Sequence, residues 1–449
     1  MRHRRLAVWL FGWFWSGIYG PWGVIVLLAV HTAPIAYLSG LMALRRISQP
    51  TRHAARIHGA GLWSAFYVVT WPSIKPSLLA AAGLVFAYNL GDFGIPFELG
   101  VPVHFQTTTT QIYADLTMQM SGGLPSAVLL SLLLSIIALA LTMASLQKQN
   151  HRQTLMTLNA SPSLRQRTGK MPFIKRLVLL VFALYTIVCV VIPLISTILV
   201  SLTRAYGLTP APWNWDIHGL VGVFEGDVGS AARNSVMLAA ATTGIVCILG
   251  LVTSEVAHRS RAGRWINRIA WVPYALPGSV IGVALILSDS RVLYGTLFII
   301  LLAYVARFWG LADTIVQLRE QVPSVQQRAV RVSGGSPAAM YRLGIWPYLA
   351  SSVQSTFIMV FVSAVYELTI SSLLYGPSSS TLAVVVMSAN QAGDIKTTAA
   401  ISVWMTCLMV VAMALLTWLP TRVKRRIPRT PDTIPSPSVH PFVESTLSD

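Results

Sequence analysis

Nine apolar runs, each about 17 to 26 residues long, divide this chain of 449 residues, and no other feature restricts its fold as strongly. A bilayer core about 30 Å thick needs about 20 residues of helix, at 1.5 Å per residue, to cross it. The runs are Trp22–Leu44, Ser77–Phe93, Ala127–Leu146, Leu177–Leu202, Ser235–Val256, Ile266–Leu287, Leu293–Val316, Leu349–Ile370 and Thr398–Leu419. Hydrocarbon offers backbone amides no water, so segments of this length are expected to be helices. A tenth run, Leu6–Gly17, is short and follows the basic start MRHRR. With no A-x-A-like cleavage site before the next run, it reads as a short first crossing rather than a signal peptide. The expected fold is an all-α polytopic membrane protein with about ten transmembrane helices.

Loop charge orients the spans. The net charge of +18 sits in short loops between apolar runs, which argues for topology and against a nucleic-acid surface. Lys148, Arg152, Arg165, Arg167, Lys170, Lys175 and Arg176 fill one acid-free segment. Arg259, Arg261, Arg264 and Arg268 crowd a short turn, and Arg422, Lys424, Arg425, Arg426 and Arg429 follow the last run. Gly94–Pro125, with Glu98 and Asp115, has no Lys or Arg. The positive-inside rule puts the first three in the cytoplasm and the last outside. Cys189, Cys247 and Cys407 lie inside apolar runs at no metal-type spacing, so neither a disulfide framework nor a zinc site is expected.

The chain also repeats itself. HAARIHGAGLWSAFYVVTWP (His53–Pro72) and RAVRVSGGSPAAMYRLGIWP (Arg328–Pro347) share Ala54/Ala329, Arg56/Arg331, Gly59/Gly334, Trp71/Trp346 and Pro72/Pro347, each pair 275 positions apart. Tyr19-Gly20 likewise matches Tyr294-Gly295, and Asp92 falls opposite Glu367. Two homologous half-bundles follow: residues 1–147, with about four spans and an elbow at 53–72, and residues 176–421, with six spans and an elbow at 328–347. A basic cytoplasmic linker (148–175) joins them, and a Pro/Ser-rich tail (422–449) is expected to be disordered. Projected by 275, the first half is truncated relative to the second, short of its first two spans and part of its third.

Each window reads as helix, Gly turn and helix on the cytoplasmic side. Gly334-Gly335 permits left-handed backbone, Ser336 caps the next helix, Pro337 suits its first turn, and Trp346-Pro347 is expected to break it. An amphipathic elbow lying on lipid is the plain reading of one copy; two copies with the same Gly-to-Pro spacing favour docking into a soluble partner.

These residues carry a resemblance. The pattern E-A-A, three residues, Gly, nine residues, I-x-L-P is the coupling-loop signature of binding-protein-dependent ABC importer permeases. Ala54-Ala55, Gly59, Val69 and Trp71-Pro72 match it, as do Ala329, Val330, Gly334 and Trp346-Pro347; His53 and Arg328 stand where the pattern has its acid. The fused layout, with NLGDFGIPFELG after one window and YELTISSLLYGPSSSTLAVVVM after the other, resembles ferric-iron permeases most, and thiamine and phosphonate permeases share much of it. The resemblance covers nearly the whole chain except the tail. It implies a transport subunit, not an enzyme, in the bacterial inner membrane. Its coupling residues would be His53, Ala54, Ala55, Arg56, Gly59, Trp71 and Pro72, with Arg328, Ala329, Val330, Arg331, Gly334, Trp346 and Pro347. It implies partners too: an ABC ATPase pair, a homodimer, and a periplasmic binding protein. With no G-x-x-x-x-G-K-[ST] loop in this chain, ATP and Mg belong to the ATPase and no cofactor is expected here.

Asp92 and Glu367 are the pointed intramembrane candidates, for a translocation pathway or, at the outer end of a span, as plain solvated carboxylates. If the solute is ferric iron, hard oxygen ligands make chemical sense. His31 reads as packed against a neighbouring helix, Pro34, Pro193 and Pro277 as kinks, and Trp9, Trp13, Trp15 and Trp22 as an interfacial belt. Thr107–Thr110 reads as loop polarity. The rival of another class is a secondary transporter built from repeats, which would not need paired cytoplasmic elbows.

Overall fold

A computed structural model describes residues 16–45, 57, 59, 61–117, 123–156, 173–205, 207–217, 220, 222–288 and 293–424. Most of the short run at 6–17, with Trp9, Trp13 and Trp15, residues 53–56 of the first window, most of the linker and most of the tail lie outside them. Helices account for nearly all of the described residues; the one β contact is an isolated bridge between Thr203 and Trp215.

The first half comprises α1 (Pro21–Arg45), α2 (Trp71–Leu90), α3 (Gly94–Leu99), α4 (Thr108–Thr117) and α5 (Gly123–Met156). The second comprises α6 (Phe173–Thr186), α7 (Ile192–Leu202), α8 (Asp227–Arg259), α9 (Arg261–Ala275), α10 (Gly278–Leu287), α11 (Leu297–Phe308) and α12 (Asp313–Glu320). It continues through α13 (Ser324–Val332), α14 (Pro337–Ala339), α15 (Trp346–Val365), α16 (Thr369–Leu374), α17 (Leu382–Gln391) and α18 (Ile395–Lys424). Eight helical stretches among the described residues are long and apolar enough to span a bilayer. Short helices α3 and α4 close the outer side of the first half, and α16 and α17 do the same in the second. Their starts, Gly94 and Thr369, are again 275 positions apart.

Two expectations change. The kink expected at Pro277 divides the run Ile266–Leu287 into two helices rather than bending one crossing: α9 and α10 meet at 99° around Leu276-Pro277. Pro277 has no N–H and disfavours helical geometry at the residue before it, and Leu276 is accordingly extended at φ −78°, ψ 141°. Hydropathy registers the composition of such a run but not its direction. Counted as one crossing, the bent pair carries the chain from the basic turn at Arg259–Arg261 to the opposite side.

Trp71-Pro72 and Trp346-Pro347 do not break their helices. A π-turn precedes each pair, Phe66–Thr70 in one copy and Met340–Ile345 in the other, and the helix runs on through it. The wider i→i+5 register absorbs a residue that cannot donate, so the chain reaches α2 and α15 without ending.

In the second half, α8 lies at the centre, packed on α9, α11, α12, α15 and α17. Small side chains make that possible: Ala231, Ala239, Thr242, Thr243, Gly250, Ser254 and Ala257 are all buried along it. Lipid tails are as apolar as leucine, so helices associate here through close van der Waals fit rather than exclusion of water. A Cβ on Gly250 would stand 2.7 Å from Cβ of Ala312 and 2.9 Å from Cδ1 of Ile315. Across the halves, Val283 of α10 joins Ile112, Ala127 and Leu134 of the first half in a second apolar cluster. The α6–α7 span bridges the halves: Tyr185 Oη donates to the Val30 carbonyl (2.8 Å), Phe182 meets Tyr37 edge-on, and α7 packs on α18.

Replacing Gly250 with Val should overpack the α8–α12 contact and cost about 1–3 kcal/mol. Gly244→Ala, at a helix position with no atom within 4 Å of the new Cβ, should be neutral or stabilising by up to about 1 kcal/mol. Thermal unfolding of the detergent-solubilised protein distinguishes the two.

Candidate functional site

The second window forms an elbow at the end of the bundle that carries the basic turn at Arg259–Arg261. Helix α13 ends where Gly334 takes φ +74°, a left-handed conformation that side chains resist, and its N–H bonds the Arg331 carbonyl (3.0 Å). Gly335 is also forced, since a Cβ there would lie 2.6 Å from Cγ1 of Val330. Ser336 Oγ accepts from Ala339 N (3.2 Å) and Pro337 occupies the first turn, so the next helix starts with a side-chain cap. Buried Ile345 and Leu349 anchor the elbow in the main core. Beneath it, Arg319 of α12 reaches Glu255 of α8 through Nε (2.6 Å) and Nη2 (3.4 Å), a two-pronged pair joining the helices that flank the elbow.

The first window shows the same turn where it is described: Gly59 takes φ +76°. His53, Ala54, Ala55 and Arg56 lie outside the described residues. Trp71-Pro72 and Trp346-Pro347 stand at equivalent places, each just after its π-turn, and Arg328, Ala329 and Arg331 are exposed while Val330 is half-buried. Two residues that sequence reasoning passed over stand out. Ile57 is 84% exposed and Val332 is 89% exposed, each two residues before its left-handed glycine and 275 positions apart. The two tips therefore present an apolar, β-branched side chain beside a rigid turn at the same place in both repeats. The signal was available as an apolar residue at the same place in both repeats.

Asp92 and Glu367 occupy one structural role. Asp92 Oδ1 accepts from Ile95 N (3.0 Å) and Glu367 Oε1 from Ile370 N (3.2 Å), so each carboxylate caps the short outer helix after its span. Thr109 Oγ1 donates to the Asp92 carbonyl (2.8 Å), which gives the threonine run a place in this corner. Glu367 is buried and also pairs with Arg307 (3.3 Å), while Tyr304 Oη donates to its carbonyl (3.0 Å). Arg307 was missed because it lies 60 positions from Glu367 in sequence. Gly278 makes room for it, as a Cβ there would stand 2.1 Å from Nη1 of Arg307. Gly91 in turn lets the first half close on Pro277, with its hypothetical Cβ 3.2 Å from the proline Cα. This corner therefore lies where the two halves meet at the α9–α10 bend. His31 stacks on Tyr88 at 6.0 Å between ring centres. Farther out, the Asn390 amide donates to the Glu98 carboxylate across the halves, and burial holds the Glu98 carboxyl above its ordinary range despite that bond.

Two segments of the chain, residues 6–154 and 246–429, match the family model of binding-protein-dependent transport system inner membrane components, well over half of its length. The chain belongs to this family. As a family member with several apolar spans, it is a multi-pass protein of the bacterial inner membrane. Among curated relatives of this permease, the Fe(3+)-transport system permease protein FbpB 2 of Haemophilus influenzae is 26% identical over 379 residues, 81% of this chain and 70% of the relative. The molybdenum transport system permease protein ModB of Escherichia coli is 32% identical over 140 residues, 30% of this chain and 58% of the relative. The sulfate transport system permease protein CysW of Synechocystis is 26% identical over 154 residues, 33% of this chain and 55% of that protein.

The two capping carboxylates should separate on truncation. Glu367→Ala leaves a largely buried guanidinium without its partner and should cost about 3–5 kcal/mol. Asp92→Ala removes a helix cap and should cost about 1 kcal/mol. Unfolding midpoints of the purified variants measure the difference.

Proposed function

We propose that this permease is the membrane-spanning subunit of an ATP-driven importer whose two elbows dock a separate ATPase pair. The observation that carries the reading is the paired elbow: the same left-handed glycine, the same π-turn before Trp-Pro, and the same exposed apolar tip, Ile57 and Val332, 275 positions apart. A lipid-lying helix gives no reason for two rigid turns of matched geometry. ATP and Mg are bound by the ATPase, a homodimer meeting two near-equivalent elbows. A periplasmic binding protein delivers the solute to the outer side, formed here by α3–α4 and α16–α17.

In this reading, closure of the ATPase pair pushes both elbows, and the half-bundles rock about the Gly91–Pro277 contact between two packed arrangements. The stiff link is mechanical: the elbow has no free hinge between Pro337 and α15, because the π-turn keeps the helix continuous. Ferric iron is the leading solute, supported by the relative that matches along most of both chains. The shorter matches to molybdenum and sulfate permeases favour oxyanions as the next candidates. Asp92 and Glu367, at the meeting of the halves, are assigned to the border of the pathway.

Gly334→Pro forces φ near −65° where +74° is required, and should abolish co-purification of the ATPase while membrane insertion stays intact. Val332→Asp should weaken association about ten-fold by removing roughly 1.5 kcal/mol of buried apolar contact. Affinity pull-down of the co-expressed ATPase reads both; undiminished association in the two variants would exclude docking at this elbow.

A further inference from the structure

A polar groove runs between α12 and α15 at the cytoplasmic end of the second half. Thr314, Gln317 and Gln321 line it from one side and Ser351, Ser352 and Ser355 from the other, with Leu318 the one apolar side chain, around a cavity of about 290 Å³. Every polar residue of this lining except Ser352 is exposed. Ser351 and Ser355 lie five and nine residues beyond Trp346, so the groove enters the span by about 7–14 Å at 1.5 Å per residue.

Lipid does not suit such a face. A single serine or threonine in a span satisfies itself by bonding its own helix, and Ser351 and Ser355 do donate to the Tyr348 and Ser352 carbonyls. Gln317 gives its amide N–H to Asp313 (2.5 Å) and the Thr314 hydroxyl shares a hydrogen bond with that of Thr356 (2.8 Å), yet the Gln317 carbonyl and serine lone pairs still accept from water. Six polar side chains converging from two helices on one concavity mark a water-filled surface, since polar groups in spans face protein or water-filled cavities. Other exposed faces of the bundle are different: Leu180 on α6 and Val411 on α18 are exposed among leucines, valines and methionines. The first repeat keeps half of this polar pattern, with Ser39, Arg46 and Ser77 at the places of Thr314, Gln321 and Ser352. At positions 275 earlier, Met42, Pro76 and Ala80 replace Gln317, Ser351 and Ser355.

We infer that the α12–α15 groove lines the cytoplasmic part of the solute route and takes an oxygen-rich polar solute, an oxyanion or an oxygen-ligated metal complex. The inference rests on the transport reading above. Its chemistry follows from the lining: hydroxyls and amides exchange hydrogen bonds with solute oxygens or their water shell, and no carboxylate in the lining would hold a bare cation. A route that binds weakly at many neutral groups releases its cargo, whereas a charged cage would retain it.

The test is cysteine accessibility in the full chain, co-expressed with its ATPase in inside-out vesicles, with Cys189, Cys247 and Cys407 replaced by Ala. Thr314→Cys and Ser355→Cys are compared with Leu180→Cys and Val411→Cys, using a membrane-impermeant sulfonated thiosulfonate and a gel shift to count unreacted thiols. The groove positions should react at least ten-fold faster than the controls, and trapping with ATP and vanadate should change their rates at least three-fold. Rates no faster than the controls would overturn the assignment. Fast rates indifferent to nucleotide would overturn it as well, since they describe a standing pocket off the route. Loss of ATPase binding by Gly334→Pro alongside unreactive groove cysteines rejects the groove alone. Retained ATPase binding by that variant rejects docking at the elbow, and uptake that persists without ATP rejects the transport reading; neither outcome depends on the groove.

Discussion

Hydrocarbon supplies no hydrogen-bond partners, and each departure from a plain apolar helix in this permease answers to that constraint. Backbone donors are satisfied within helices, and Pro72 and Pro347, which cannot donate, are absorbed by π-turns instead of breaks. Where the chain does break, at Leu276-Pro277, it is enclosed by protein: Gly91 closes on Pro277, and Arg307 sits over Gly278. Carboxylates in these surroundings are held by backbone N–H groups and, at Glu367, by a guanidinium. Buried charge without such partners is destabilising by several kcal/mol.

The same constraint separates rigid from movable parts. Close packing along α8 depends on glycine, alanine, serine and threonine, so the second half is one tightly fitted body with α12 and α15 locked to it. The elbow is continuous with α15 through its π-turn and therefore transmits force rather than absorbing it. What remains able to shift is the junction between halves, where the contacts are fewer and are made through Gly91, Pro277, Val283 and the Glu98–Asn390 bond. In the proposed reading, structure connects to transport through a stiff lever acting on a looser seam.

Much of this was legible in the sequence, for physical reasons. Span length follows from bilayer thickness, orientation from one-signed loops, and the left-handed turn at Gly334 from a residue type that alone tolerates it. The 275-residue offset reappears in matched details, from the glycine φ values to the caps on Ile95 and Ile370. The failures are equally specific. Pro277 marks a kink in the sequence, but hydropathy is blind to direction and gives no hint that the bend reaches 99°. Proline's missing donor is visible in sequence and points to a helix end, whereas the π-turn that accommodates it is not visible there. The Arg307–Glu367 pair joins positions no local pattern connects. The groove of Thr314, Gln317 and Gln321 does carry a local signal, polar residues at i, i+3 and i+7 within a span, which a search for charges alone overlooks.

The central claim is that movement of the elbows, driven by ATP in a partner, moves solute through this chain. Uptake of ferric iron by cells or vesicles depleted of ATP while the transmembrane ion gradient is maintained tests it most directly. The account predicts that uptake stops when ATP is gone and returns when it is restored. Uptake that persists on the gradient alone would contradict it and place the chain among secondary transporters.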